Sequence, residues 1–194
     1  LEIGAPVKEA VLSEQLGISR APIREALQVL VQEGLITSEP QKGKHVRQMT
    51  GKEIYDSYVV AGILEGAGVA ESLPLWTEAN METFRAVVRQ MEGKISYATK
   101  LDELAEIDEL FHATLFMACD NTRLVEMART SCATISKYLY YQHWITMFTP
   151  REYADRHHAV AEAVYSRDVK HVETALRDHY KETGLRMAQF GKEA

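Results

Sequence analysis

Asp108 and His112 stand four residues apart, the spacing that puts two side chains on one face of a helix, so the pair can chelate a single metal ion. His157 and His179 fall further along, in segments that also read as helix. Three imidazoles and a carboxylate supplied by three helices can converge inside a helical bundle, a usual place for such sites. Nitrogen-rich ligands of this kind suit Zn²⁺ first, with Ni²⁺ or Mn²⁺ as alternatives, whereas Ca²⁺ and Mg²⁺ prefer all-oxygen shells. The chain has seven histidines, and any one alone is more often a surface or satisfied core residue than a ligand. His45, His158 and His171 are left in that class, and His143 is undecided. An ion with an open coordination position also serves hydrolases and oxygenases, so a metalloenzyme is the rival reading. Against it, no carboxylate is spaced from the histidines as a general base, and no nucleophile motif is present.

A different chemistry is concentrated near the start. Ser19, Arg20 and Arg24 fall on the first turns of one helix, with both arginines on the face opposite its apolar stripe. A guanidinium fork can bond guanine O6 and N7 together, and a helix N-terminus favours phosphate. Lys42, Lys44 and His45 add cationic or hydrogen-bonding groups at a turn where Gly43 lets the backbone come close to a phosphate. Residues 1–50 carry six basic and six acidic side chains, so the whole net charge of −6 lies on the rest of the chain. A neutral head on an acidic body fits a head that meets a polyanion. The bland alternative is a solvated amphipathic helix followed by an ordinary charged hairpin.

The elements that must hold these groups are legible in the pattern. Val7 to Leu16 has helical apolar spacing and stops at Gly17; Ser19 caps a second helix, with Pro22 in its first turn and Ile23, Ala26, Leu27, Leu30 and Val31 as its stripe, ending at Gly34. Residues 35–38 and 44–47 read as short strands around the turn 40–43. After residue 50 the spacing predicts six helices, 51–73, 77–95, 99–119, 121–147, 149–166 and 168–190, broken at Pro74, Asp120-Asn121, the capping box at Thr149 and the cap Asp168. With 194 residues the chain suits one large domain or two small ones. Cys119 and Cys132 are too few for a disulfide scaffold, and Leu1-Glu2-Ile3-Gly4 is no signal peptide, which points to the cytoplasm. No apolar run reaches the roughly 18–20 residues of a membrane span. Residue 1 is not Met, so the numbering is expected to start inside a longer chain.

The stretch Leu16-Gly17-Ile18-Ser19-Arg20-Ala21-Pro22-Ile23-Arg24-Glu25-Ala26-Leu27, with Glu33-Gly34-Leu35-Ile36 and Gly43-Lys44-His45-Val46, resembles the winged helix-turn-helix of GntR-family transcription regulators. The resemblance implies a mostly α protein: a winged head over 1–49, lacking the family's first helix, and an all-α six-helix body over 50–194. It implies that Ser19, Arg20 and Arg24 contact phosphate and base, and that Lys42, Gly43, Lys44 and His45 form the wing tip. Ala10 stands where some members place a DNA-contacting arginine. From about residue 50 the chain resembles the FCD effector-binding domain, through Leu64-Glu65, Asp108-Glu109-Leu110-Phe111-His112, Asn121-Thr122-Arg123-Leu124, His157 with Val160 and Val164, and Arg177-Asp178-His179. There the resemblance implies a divalent metal on Asp108, His112, His157 and His179, facing a pocket for a small carboxylate. It also implies five or six ligands around the ion. Members often carry an effector-holding arginine where this chain has Ala61, and this chain has an aromatic run, Tyr138 to Trp144, where relatives often have arginines. Tyr140 and His143 of that run are the weak effector candidates, with core packing as the alternative.

The expectation is a metabolite-responsive regulator, acting as a repressor, that binds operator DNA as a homodimer and a small organic acid in its body. The rivals are the metalloenzyme and a helical interaction module whose head no longer binds DNA.

Overall fold

The computed structural model describes residues 1–193. The head is built around Val7, Ile23, Leu27 and Ile36, each buried. Helix α1 (Glu9–Leu16) ends at Gly17, whose left-handed φ of 66° lets its N–H reach back to the Ser13 carbonyl. That sharp exit aims the chain into α2 (Arg20–Gln32). Ser19 holds the N-cap position in extended conformation, but its side chain makes no capping hydrogen bond. Strands β1 (Ile36–Glu39) and β2 (Gly43–Val46) pair antiparallel, from Ile36 opposite Val46 to Glu39 opposite Gly43.

Thr50 opens the body with a capping box to Glu53, starting α3 (Gly51–Ser72). Pro74 closes it in a 3₁₀ turn over Leu73–Leu75. Next come α4 (Glu78–Ile95), capped by Thr77 and Asn80; α5 (Ala105–Leu115); α6 (Thr122–Ser131), capped by Asn121; α8 (Pro150–Ser166), behind a Thr149–Glu152 capping box; and α9 (Val169–Ala188), capped by Asp168. Between α6 and α8 lies the four-residue α7 (Tyr141–Trp144).

Two expected helices are redrawn. The segment 99–119 contains a 3₁₀ turn, Leu101–Leu104, and only then α5, because Glu103 turns back to accept from the N–H groups of Thr99 and Lys100. The segment 121–147 is not one helix. At Cys132 the α ladder gives way to a π-helical stretch, Thr134–Leu139, in which the Tyr140 N–H reaches the Ile135 carbonyl five residues back. β-branched and aromatic residues hold an α-helix poorly here, and the wider turn brings Tyr140 inward to 1% exposure.

Helices α3 and α9 pack closely because glycines face the contact: a Cβ added to Gly62 would meet the Tyr180 Cβ at 2.9 Å, and one on Gly184 the Tyr58 Cβ at 2.8 Å. Contrary to the reading from apolar runs, the stretch Gly51–Leu75 is long and apolar enough to span a membrane. Half of it is buried as the body's central helix, between α6 and α9. The main core joins Phe84, Met91, Leu104, Phe111, Val160 and Leu176. A smaller one, Met49, Ile54, Tyr58, Ile135, Tyr140 and Met187, seats the linker in the body. The Tyr140 hydroxyl accepts from the Met49 N–H (3.0 Å) and donates to the Met49 carbonyl (3.3 Å), and Thr50 bridges to Lys192. The second wing strand ends at Val46, and Met49 and Thr50 are tied to the body.

Candidate functional site

In the head, Ser19, Arg20 and Arg24 lie exposed at the start of α2, with Lys42 and Gly43 exposed at the wing tip. Glu9 on α1 draws part of this surface together: Arg24 pairs with it at 3.2 Å and Lys44 at 3.1 Å. The Glu9 carboxyl is held below its ordinary range by the hydrogen bonds from Arg24 and Lys44. Lys42 instead pairs with Glu39 across the turn at 2.7 Å, while Arg20 has no ion pair among the described residues. His45 is half-buried in β2, bridged to Pro6, and sits behind the tip rather than on it.

In the body, α5 presents Asp108 and His112 on one face, α8 presents His157 and α9 presents His179. The candidate ligand atoms of the three histidines lie within 4.8 Å of one another. Asp108 Oδ1 is 3.1 Å from His157 Nε2 and 4.0 Å from His112 Nε2. All four residues predicted from spacing and resemblance are thus brought to one place. The outer faces of two rings are fixed: His157 Nδ1 bonds the Tyr153 carbonyl (2.8 Å) and His112 Nδ1 bonds Glu65 Oε1 (2.7 Å). A ring nitrogen tied in this way leaves the other free to face an ion. His179 Nδ1 is buried with no hydrogen-bond partner.

Charge is apportioned unevenly among the rings. Burial opposes a proton on His112, but the Glu65 carboxylate outweighs it, with help from Asp108, and raises its pKa to about 9. Burial pushes His157 below the usual histidine range despite Asp108. It pushes His179 well below, aided by the neighbouring His157 and Arg156 charges. Burial would raise Asp108, yet its bond to His157 and the His112 charge hold it below the usual carboxylate range.

These groups line one wall of a cavity of about 380 Å³ whose other walls include Leu101, Phe116, Trp144 and Phe148. That volume lies within the roughly 300–1,000 Å³ of small-molecule sites. Tyr140 and His143, the weak effector candidates, do not line it. Tyr140 is spent on Met49, and the His143 ring stacks on Phe190 at 4.1 Å. The aromatic run divides its labour because the π turn rotates successive side chains to different faces: Tyr141 and Trp144 reach the cavity, Tyr140 the linker.

Two contributors were not assigned to the site from the sequence, although Glu65 lies in the Leu64-Glu65 pair that carries the FCD resemblance. Glu65 is 2% exposed and bonds both His112 and the Tyr180 hydroxyl (2.6 Å). An acidic residue among Ala61, Gly62, Gly66 and Val69, on the buried face of a helix, was its available signal. Arg156 lines the cavity with its Nη2 donating to the His179 carbonyl and Thr183 Oγ1 (both 2.6 Å) and its Nη1 to Glu182. Nothing in its sequence context distinguishes it from the surface arginines of the same helices.

Comparison with known proteins agrees with this two-part architecture. The family described as bacterial regulatory proteins of the gntR family matches residues 1–46, and the FCD domain matches residues 56–182. The chain is 26% identical over 193 residues to the HTH-type transcriptional repressor RspR of Escherichia coli K12, covering 98% of this chain and 82% of that protein. It is 28% identical to the Nta operon transcriptional regulator of Aminobacter aminovorans, over 79% and 70% of the two chains. Among solved structures, E. coli McbR/YncC superposes with a TM-score of 0.72 at 20% identity, covering 97% of this chain and 89% of that one, a likeness of fold. These relatives are regulators and not enzymes, so the metalloenzyme reading is set aside. With its head and most of its body matched, the protein belongs to the GntR family of DNA-binding transcription regulators, in the group whose body is an FCD domain.

Proposed function

We propose that the chain is a metabolite-responsive repressor whose body holds a divalent metal and, against it, a small carboxylate that alters operator binding. The observation that carries this reading is the convergence of Asp108, His112, His157 and His179 on the wall of a ligand-sized cavity. The residues fit a metal: three imidazole nitrogens within 4.8 Å of one another, one of the rings with a buried, unpartnered nitrogen, and a carboxylate kept ionised beside them. Zn²⁺ suits this donor set, with Ni²⁺ or Mn²⁺ as alternatives. Once bound, such an ion supplies a Lewis acid to a carboxylate oxygen. The chain's own part is to hold the rings: Glu65 and the Tyr153 carbonyl orient His112 and His157, and Arg156 braces α9 beside His179.

The partner at the other end is double-stranded operator DNA, read by Ser19, Arg20, Arg24 and the wing. One winged head reads a half-site, so the working form is a homodimer, located in the cytoplasm. The test is metal content by elemental analysis of protein purified without chelator or affinity tag, followed by operator binding with and without candidate acids. His179→Ala should lose metal and acid response together while acid-free DNA binding survives. Under a tenth of an equivalent of any transition metal after reconstitution would refute the metal site.

A further inference from the structure

Tyr58 on α3 lines the cavity, is 2% exposed, and its hydroxyl is buried beside the Ser136 side chain without a hydrogen bond of good geometry. A buried hydroxyl left unpaired is destabilising, and the cost is recovered when something accepts its proton. Burial also pushes the phenol pKa well up, so the group stays a neutral donor. Tyr58 and Glu65 share one face of α3, and seven residues of helix separate them by about 10 Å along the axis. Glu65 carries His112, so along α3 Tyr58 lies about two helical turns from the residue that holds the histidine wall.

The charges point the same way. The interior guanidinium, Arg156, is engaged by Glu182, Thr183 and the His179 carbonyl, and Lys137 is paired with Glu109 at 3.0 Å. Arg129 remains, exposed at the rim. The lining also includes apolar side chains, Phe116, Trp144 and Phe148. Among the described residues Arg129 is the lining cation left without an ion pair, and it is exposed to water, so a second carboxylate would gain little there, whereas a neutral oxygen beside Tyr58 would meet a buried donor.

Taking the metal-and-carboxylate reading above as its premise, we propose that the effector is a monocarboxylic acid with an apolar, ring-sized body and a neutral oxygen at its far end, and that Tyr58 donates to that oxygen. The test uses the full chain loaded with zinc, titrated calorimetrically with 4-hydroxybenzoate, benzoate and succinate. The hydroxylated acid binds about tenfold more tightly than benzoate, equivalent to about 1.4 kcal/mol, and succinate binds more weakly than either. Tyr58→Phe removes the preference for the hydroxyl, leaves benzoate and zinc affinity unchanged, and raises the urea midpoint of the metal-free protein, because an idle buried hydroxyl is gone. A residue that only filled space would show no loss of the hydroxyl preference. Succinate binding best, a preference that survives Tyr58→Phe, or no acid binding to zinc-loaded protein would overturn the proposal alone. Failure of the wild type to take up zinc would overturn the metal reading and this proposal with it.

Discussion

Replacing Glu65 with Gln should reshape how zinc binding depends on pH rather than simply weaken it. In the metal-free protein His112 has a pKa of about 9 because Glu65 lies 2.7 Å from its Nδ1. At pH 7 about 99 molecules in 100 therefore carry a proton that zinc must displace from Nε2, a penalty on the order of 100-fold that shrinks about tenfold per pH unit up to 9. Without the carboxylate, burial acts against the proton with only Asp108 opposing it, and the pKa falls to the ordinary 6.5 or below. Glu65→Gln thus removes most of the slope above pH 7. It also loosens the ring, and losing such an outer partner costs roughly 10–100-fold in metal affinity. The two effects oppose one another. At pH 8.5 wild type still bears a penalty of about fourfold, so the variant should bind zinc about 2–25-fold more weakly, and near pH 6.5 the two should converge or cross. Competition against a chromophoric zinc chelator at pH 6.5, 7.5 and 8.5 measures this. Parallel profiles, or a wild type with no slope in that interval, would refute the coupling of Glu65 to His112.

The same pair makes metal-free stability pH-dependent. A histidine whose folded pKa is raised from 6.5 to about 9 contributes fully below pH 6.5 and loses that contribution as pH rises to 9, here about 3 kcal/mol, so urea midpoints should fall over that window in wild type but not in Glu65→Gln. Arg24→Ala should weaken operator binding by about 1–3 kcal/mol per lost base contact, while Lys42→Ala should weaken all sequences alike and flatten the salt slope by about one unit in titrations at several salt concentrations. Glu9→Gln, by releasing Arg24 and Lys44 from their shared carboxylate, should raise DNA affinity and steepen that slope; no change would mean the carboxylate does not compete with phosphate. Tyr140→Phe strands the buried Met49 N–H and should cost about 1–3 kcal/mol in urea unfolding; a loss below about 0.5 kcal/mol would show that water replaces the hydroxyl.

Spacing made the helix faces legible, and with them Asp108 beside His112 and the arginines of α2, because i, i+4 placement is a local property of the backbone. Capping chemistry at Thr77, Thr149 and Asp168 set helix starts correctly for the same reason. Long-range pairings were out of reach. Glu65 meets His112 across 47 residues and Tyr180 across 115, and neither spacing nor composition encodes which buried acid finds which base. The fourth helix of the body misled because its apolar content fits a helix throughout. The slip at Cys132 registers only once Tyr140 has a linker backbone to bond, 91 residues away. Ser19 shows the limit of capping rules: the position is a cap by backbone geometry, yet its hydroxyl makes no capping bond.

The grip of Tyr140 on Met49 has an evolutionary corollary. Both hydrogen bonds are made to main-chain atoms, which every residue but proline offers in full. Any apolar side chain able to fill the space of Met49 would keep both bonds, so this position can drift in sequence while the joint holds. The side-chain contacts beside it, Ile3 on the same cluster and Arg47 with Glu53, are what a different head would have to reproduce to sit on the same body.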